Sequence, residues 1–155
     1  MQPELLSNPK FASLGKIKIG VVRGGLSAER RISLRSGRAV TRALKRVGIS
    51  AFPIDPAEQK TFSQKIQKAD VLFIALHGKG GEDGALQKKL EKKHILFTGS
   101  PSRACVKSFD KEISKHYFEK LGIPTPEYAI LSKKNWRKVA ETFPAPYFAK
   151  PLDGG

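Results

Sequence analysis

Two glycine-rich segments combine residue types that can bind a small charged molecule. The first, Gly24–Arg30, has the sequence GGLSAER, and the second, His77–Gly84, has the sequence HGKGGEDG. Glycines let a backbone approach a ligand closely, and the start of a following helix offers free N–H groups to an anion. Glu29 can instead accept a hydrogen bond from an ammonium group. These two segments are therefore the candidate functional residues of the chain.

Each segment also has a purely structural explanation. Gly24 and Gly25 suit a tight turn, and Glu29 suits the dipole of a helix that begins beside it. Considered alone, the first segment favours this explanation, because it matches neither GxGxxG nor the Walker pattern. A single His77 is most often a hydrogen-bonded structural residue, and Glu82 and Asp83 suit the start of the next helix. A metal at His77 is disfavoured, because no second His or Cys lies at ligand spacing.

Both segments follow predicted strands. Apolar runs predict buried strands at Lys16–Val22 and Val71–Leu76. Further strands are predicted at 50–54 and 95–98, with helices over about 28–47, 61–68 and 85–92. This alternation favours a parallel sheet with helices on both faces, and such sheets bind ligands beyond the carboxyl ends of their strands.

The predicted first helix has an apolar face and a clear stop. Gly48 lies where a helix C-terminus favours a left-handed residue. Helical spacing predicts that five apolar residues share the buried face: Ile32, Val40, Ala43, Leu44 and Val47.

The pattern changes after Gly99-Ser100. Helices are predicted over 110–121 and from Ser132 to about 142, with strands at 128–131 and 147–150. About 45 residues in this arrangement hold too little core to fold alone. An ending on a strand and a glycine turn is therefore expected to continue in a longer protein.

Composition excludes several classes of protein. With 155 residues, 39% of them hydrophobic and 28% charged, the chain has the composition of a globular domain. It contains neither an apolar run long enough to cross a membrane nor a secretory signal pattern. The single Cys105 excludes an internal disulfide framework, and a cytoplasmic location fits.

The charge is unusual. Twenty-nine Lys and Arg residues against fourteen Asp and Glu residues give a net charge of +15, which attracts phosphates. The basic residues are scattered, as at Lys88, Lys89, Lys92 and Lys93, and no common nucleic-acid-binding signature is present. A solvated surface is therefore the preferred interpretation, and a nucleic-acid partner is the alternative.

Five motifs in order resemble the D-alanine–D-alanine ligase family of the ATP-grasp superfamily. HGKGGEDGALQ, at 77–87, resembles the family's HGxxGEDGxLQ signature, and GGLSAERRISLRSG, at 24–37, is similar to GGxSxExxVSxxSG. Residues 97–111 resemble the family's TGS…DK stretch, GIPTPEY at 122–128 also matches, and YFAKPLDGG, at 147–155, resembles the strand that enters KPxxxGSSxG. Three positions depart from the family pattern: Arg23, Arg31 and Lys88.

The resemblance implies a fold and a division of the chain. It implies a Rossmann-like α/β domain, the pre-ATP-grasp domain, at 16–100, after a leader at 1–15. Residues 101–155 would be the incomplete start of the ATP-grasp central domain. A homodimer is expected only from the resemblance.

The same resemblance implies roles for individual residues. Glu29 and His77 would be the catalytic-site residues that bind the first D-alanine, with Ser27 and Gly78 completing the substrate site. Lys111 and Lys150 would contact ATP phosphates. Following an apolar strand, Lys150 is also expected from the residues alone to be partly desolvated and to need an anionic partner.

The implied reaction joins two D-alanines for peptidoglycan, and hence for cell-wall biogenesis and cell shape. ATP phosphorylates one D-alanine carboxylate to an acylphosphate with Mg²⁺ bound, and the amine of the second D-alanine then displaces phosphate. D-lactate or D-serine as the second substrate is the near alternative. The magnesium ligands would follow Gly155, so the 155 residues alone are expected to be inactive.

Overall fold

A computed structural model of the chain describes residues 12–153. Most of the predicted leader lies outside the described residues, which begin with a short 3-10 helix at Ala12–Lys16. The chain divides into two compact units between Val106 and Lys107. The domain division predicted at Ser100 stays a prediction.

The first unit is a parallel α/β sheet, as predicted. Its elements are β1 (Lys18–Val22), α1 (Arg30–Arg46), β2 (Ser50–Ile54), α2 (Gln59–Gln67), β3 (Val71–Ile74), α3 (Ala85–Glu91) and most of α4 (Ser102–Phe109). The strand order is β2-β1-β3, and both pairings are parallel. All three carboxyl ends therefore meet at one edge of the sheet, and the two glycine-rich segments follow β1 and β3 at that edge.

Alternation along the strands divides the core into two clusters, one on each face of the sheet. Val22, Ile54 and Leu72 pack on one face with apolar residues of α2 and α3. Val21 and Ala51 lie on the other face, where the residues Val40 and Leu44 of α1 pack. Helices therefore cover both faces, as the sequence predicted.

The buried face of α1 was predicted only in part. Its buried residues are Ser33, Gly37 and Thr41, while Ile32 is 44% exposed. A spacing of four residues puts these three small residues on one face of α1. Their small size lets the helix lie close to the strands. The helix ends at Arg46, and Gly48 just beyond it has a φ of 82°, the left-handed conformation predicted there. The next residue, Ile49, donates its N–H to Leu44 O at 3.0 Å.

The predicted fourth strand is reduced to one bridge. Leu72 N–H donates to Leu96 O, and Thr98 N–H donates to Leu72 O, each at 2.9 Å. The Thr98 hydroxyl then accepts from Ile74 N–H at 3.3 Å, in place of a backbone carbonyl. The Thr98 side chain thus occupies the next hydrogen-bonding position beside β3, and the backbone pairing is limited to the single bridge between Leu72 and Phe97.

The second unit contains α5 (Lys111–Lys120) and α6 (Trp136–Thr142). The strands predicted at 128–131 and 147–150 are wrong: neither segment forms a strand in the described chain. Residues 147–150 are exposed, residues 128–131 are exposed or half-buried, and no residue between 107 and 153 is buried. Strand propensity alone does not form a strand, because the backbone groups need a pairing partner and a surface to cover.

Candidate functional site

The first glycine-rich segment makes a turn that requires glycine. Gly24 and Gly25 follow β1 with φ values of 90° and 74°, in the left-handed region. Gly24 is also packed against Asp55, whose carboxylate would collide with any side chain placed there. The structural explanation for this glycine pair is therefore correct, and the pair also sets the path of the chain toward Glu29.

Asp55 fastens this turn from the end of β2. Its Oδ1 accepts hydrogen bonds from Gly25 N–H at 3.0 Å and from Ala57 N–H at 2.9 Å. Arg30 forms an ion pair with Oδ2 at 2.8 Å and also donates to Gly25 O at 2.7 Å. Burial alone would raise the pKa of Asp55, but the hydrogen bonds from Arg30, Gly25 and Ala57 outweigh it, and the pKa lies below its usual value.

Replacing Asp55 with Asn should therefore lower the melting temperature at pH 7. A hydrogen bond to a charged group contributes about 1.5–3 kcal/mol, which sets the expected loss in the free energy of unfolding. Because the pKa is lowered in the folded state, the stabilisation is present above the unfolded pKa of about 3.9 and disappears as the pH falls through the folded-state pKa. Thermal unfolding from pH 7 to pH 3 measures this. The exposed Glu141→Gln variant is the control, and a deficit that stays constant across the range would contradict the assignment.

Glu29 and His77 are brought together by the two segments. Ser27 Oγ donates to His77 O at 2.8 Å. A Cβ atom added to Gly78 would lie 2.8 Å from Glu29 Oε1, so the second segment passes directly beside this carboxylate. The structure thus groups all four residues that the resemblance assigned to the D-alanine site, although their roles stay predictions.

The imidazole of His77 has a polar group near each ring nitrogen. Nε2 lies 3.3 Å from Ser36 Oγ, and Nδ1 lies 3.7 Å from Glu82 Oε1. The side chain is partly buried, with 32% exposed. These contacts agree with a hydrogen-bonded histidine, and they leave it at the edge of the sheet beside Glu29.

Acidic and amide side chains hold the second glycine-rich segment. Glu82 accepts from Gly78 N–H at 2.9 Å, and Asp83 accepts from Gly80 N–H at 2.9 Å. Asp83 also accepts from Ala85 N–H at 3.0 Å, but the N-cap residue of α3 is Gly84, and no side chain makes a capping hydrogen bond there. The buried Gln87 donates to Gly81 O at 2.6 Å. These hydrogen bonds fix the backbone of the loop, and the N-cap role predicted for Glu82 and Asp83 is not observed.

Lys111 and Lys150 lie in the second unit. Lys111 begins α5 after Asp110, whose side chain accepts from Ile113 N–H at 2.9 Å. Lys111 N–H donates to Leu152 O at 2.9 Å, so the segments that carry the two lysines are neighbours. Lys150 itself is exposed and follows no strand, so the expectation of a partly desolvated Lys150 is wrong. Its phosphate-binding role rests on the resemblance.

Some of the basic residues lie in a regular row along one helix and are not scattered over the surface. Four exposed arginines of α1 follow one another at intervals of four, three and four residues: Arg31, Arg35, Arg38 and Arg42. Residues at these intervals share one face of a helix. Within residues 12–153, no carboxylate forms an ion pair with any of them. We name this row the α1 arginine row.

Two further observations concern metal and membrane. Among residues 12–153, no group of three or more His, Cys, Asp or Glu side chains is arranged to hold a metal ion. None of the helices formed by these residues combines the length and the apolar composition that a membrane crossing requires.

Comparison with known proteins agrees with the motifs. Residues 54–100 match the family model of the D-Ala–D-Ala ligase N-terminus. The D-alanine–D-alanine ligase of Aromatoleum aromaticum is 45% identical over 139 residues, which cover 89% of this chain and 45% of that protein. The enzyme of Ralstonia pickettii is 40% identical over 154 residues, 99% of this chain and 45% of its own length. The chain thus spans a little under half the length of these curated relatives.

Solved structures give the same result. The D-alanine–D-alanine ligase of Bacillus anthracis matches with a TM-score of 0.74 and 32% identity, over 90% of this chain and 46% of that one. The same enzyme complexed with ATP matches with a TM-score of 0.70 and 31% identity, over 89% of this chain and 48% of that one.

The fold is a parallel α/β sheet like that of the D-alanine–D-alanine ligases, which are ATP-grasp enzymes, and the candidate site lies at the carboxyl edge of this sheet. Over most of its length, the chain is similar to the N-terminal part of D-alanine–D-alanine ligases.

Proposed function

We propose that the first unit binds the first D-alanine of a D-alanine–D-alanine ligase. The observation that carries this proposal is the grouping of Ser27, Glu29, His77 and Gly78 at the carboxyl edge of the sheet. The Glu29 carboxylate would accept hydrogen bonds from the ammonium group. The partly buried edge strengthens such a bond, because water competes less for the charges.

In the longer enzyme, this D-alanine carboxylate would attack the γ-phosphate of ATP and release ADP. The amine of the second D-alanine would then attack the acyl carbon, with release of phosphate, to give D-alanyl-D-alanine. Glu29 would hold the first substrate in place through both steps. D-lactate or D-serine as the second substrate remains the alternative.

ATP would be bound through Lys111 and Lys150. Two ammonium groups on neighbouring segments fit the chemistry of phosphate oxygens. For magnesium, residues 12–153 hold no group of three or more His, Cys, Asp or Glu side chains arranged as ligands. A cytoplasmic location and a homodimer would follow if this chain behaves as its family does.

The proposal is tested by titrating the chain with D-alanine and with D-lactate while recording amide NMR spectra. D-lactate replaces the ammonium group with a hydroxyl and keeps the carboxylate and the shape. We expect D-alanine to shift the resonances of Glu29 and Gly78, and D-lactate to shift them much less. Equal responses to both, or none to D-alanine, would contradict the proposal.

The 155-residue chain alone should show no sustained turnover. Phosphoryl transfer depends on phosphates held by metal, and the described residues supply no such group of ligands. The measurement is phosphate release from ATP with D-alanine and Mg²⁺. A Glu29→Gln chain purified in the same way reports contaminating activity. Turnover that requires D-alanine and is lost in this variant would contradict the expectation.

The α1 arginine row favours a second candidate function, in which the basic surface binds nucleic acid. Arginine binds phosphate well, and a partner that neutralises several phosphates binds with a steep dependence on salt. This candidate predicts salt-sensitive binding of duplex DNA that depends on many basic residues, each contributing a little.

A further inference from the structure

Ser33 makes hydrogen bonds to the first glycine-rich segment and to the residues that lead into the second. The residue is fully buried, with 0% of its surface exposed. Its Oγ accepts a hydrogen bond from Gly24 N–H at 2.8 Å and donates one to Ala75 O at 2.7 Å. Gly24 is the first residue of the first glycine-rich segment, and Ala75 lies two residues before His77, the first residue of the second. One hydroxyl therefore joins the ends of β1 and β3.

The backbone of Ser33 adds the third connection. Its N–H donates to Glu29 O at 3.0 Å in the first turn of α1. The position of Glu29 relative to Ala75 is thus set through one residue. Ala75 in turn donates its N–H to Val22 O at 2.8 Å, which continues the ladder between β1 and β3. Two hydrogen bonds of Ser33 therefore link Glu29 to Ala75, which lies directly after β3 and two residues before His77.

We infer that Ser33 is a positioning residue that keeps Glu29 and His77 at the separation required to hold D-alanine. The inference rests on the proposed function. Its physical basis is preorganisation: a site that is already ordered loses less conformational freedom when its ligand binds. Without the hydroxyl, Gly24 N–H and Ala75 O lose this partner, and both segments can shift relative to α1.

The test compares Ser33→Ala with a matched variant. Thr41 is a second buried hydroxyl on the same face of α1, 8% exposed, and it donates to Gly37 O at 2.7 Å within the helix. Thr41→Val removes that hydroxyl, keeps the side-chain shape and touches neither segment. D-alanine is titrated into both variants and the original chain by NMR, at a temperature where all three are fully folded.

We expect Ser33→Ala to raise the dissociation constant of D-alanine roughly fivefold, the effect of one ordinary hydrogen bond, and Thr41→Val to leave it unchanged. Equal affinity of the Ser33→Ala variant and the original chain would overturn the inference. So would a matching loss in Thr41→Val, because the effect would then follow general stability.

Hydrogen exchange separates failure of this inference from failure of the proposed function. In the original chain, the Gly24 amide should exchange slowly although it lies in a loop, and Ser33→Ala should speed its exchange while Thr41→Val does not. This pattern would support the connection even if D-alanine does not bind, which would overturn the proposed function alone. Rapid exchange of Gly24 in the original chain would overturn the inference even if Ser33→Ala does not fold.

Discussion

Replacing Glu29 with Gln should weaken D-alanine binding about tenfold or more. The change keeps the shape of the side chain and removes the charge that would hold the ammonium group. A charge-assisted hydrogen bond contributes roughly 1.5–3 kcal/mol, and 1.4 kcal/mol corresponds to a factor of ten in affinity. The dissociation constant from an NMR titration of the chain measures the effect.

The same variant tests the structural alternative for Glu29. Glu29 precedes α1, but its side chain makes no capping hydrogen bond, so only the helix dipole would be affected, by about 0.3–1 kcal/mol. The melting temperature should therefore change little. Binding of D-lactate, which has no ammonium group, serves as the control. A lower melting temperature with unchanged D-alanine affinity would identify Glu29 as a partner of the helix dipole only.

Replacing Lys150 with Met should weaken ATP binding by about tenfold, if Lys150 contacts a phosphate through a charge-assisted hydrogen bond. Lys92→Met is the matched control, because both lysines are exposed and both variants lose one charge. Distant exposed charges are screened within about 8–10 Å at physiological salt. A difference between the two variants would therefore report a direct contact.

Titration of the same two variants with duplex DNA distinguishes the nucleic-acid candidate. That candidate predicts equal, small losses at Lys92 and Lys150 and affinity that falls steeply with salt. Calorimetry with ATP and with DNA at two salt concentrations gives both results. Tight, salt-sensitive DNA binding without any effect of Lys150→Met on ATP would contradict the phosphate role of Lys150.

The sheet could be predicted because each of its strands has a local signal. The apolar runs that became β1 and β3 contribute residues to the core clusters on both faces of the sheet, and Gly48 follows the end of α1 in the left-handed conformation that glycine favours. The segments at 128–131 and 147–150 have comparable signals and form no strands in the described residues. Their strand propensity is real, but pairing depends on partners elsewhere in the structure, which a local pattern does not reveal.

For the candidate site as well, some residues could be predicted from the sequence and others could not. Motifs identified Ser27, Glu29, His77 and Gly78, because they belong to contiguous signatures. Asp55 lies outside these signatures, and Ser33, although it lies within the 24–37 motif, was not singled out. Both contacts depend on partners distant in sequence: Ser33 contacts Ala75 across 42 residues, and Asp55 contacts Gly25 across 30. One sequence signal was available for Ser33. A polar residue four positions from Gly37, on a stripe of small residues, is a candidate for a buried contact.

The way the Gly24–Ser27 turn is held has a consequence for engineering. Its backbone is specified by side chains outside the turn, at Ser33 and Asp55, while Leu26 is 81% exposed and Ala28 is exposed as well. A library that randomises Leu26 and Ala28 would therefore vary the rim of the site on an unchanged scaffold. A library aimed at Ser33 or Asp55 would instead disturb the backbone of the turn, because these side chains hold it in place. Selection for a changed ligand preference at the proposed D-alanine site should accordingly begin at Leu26 and Ala28.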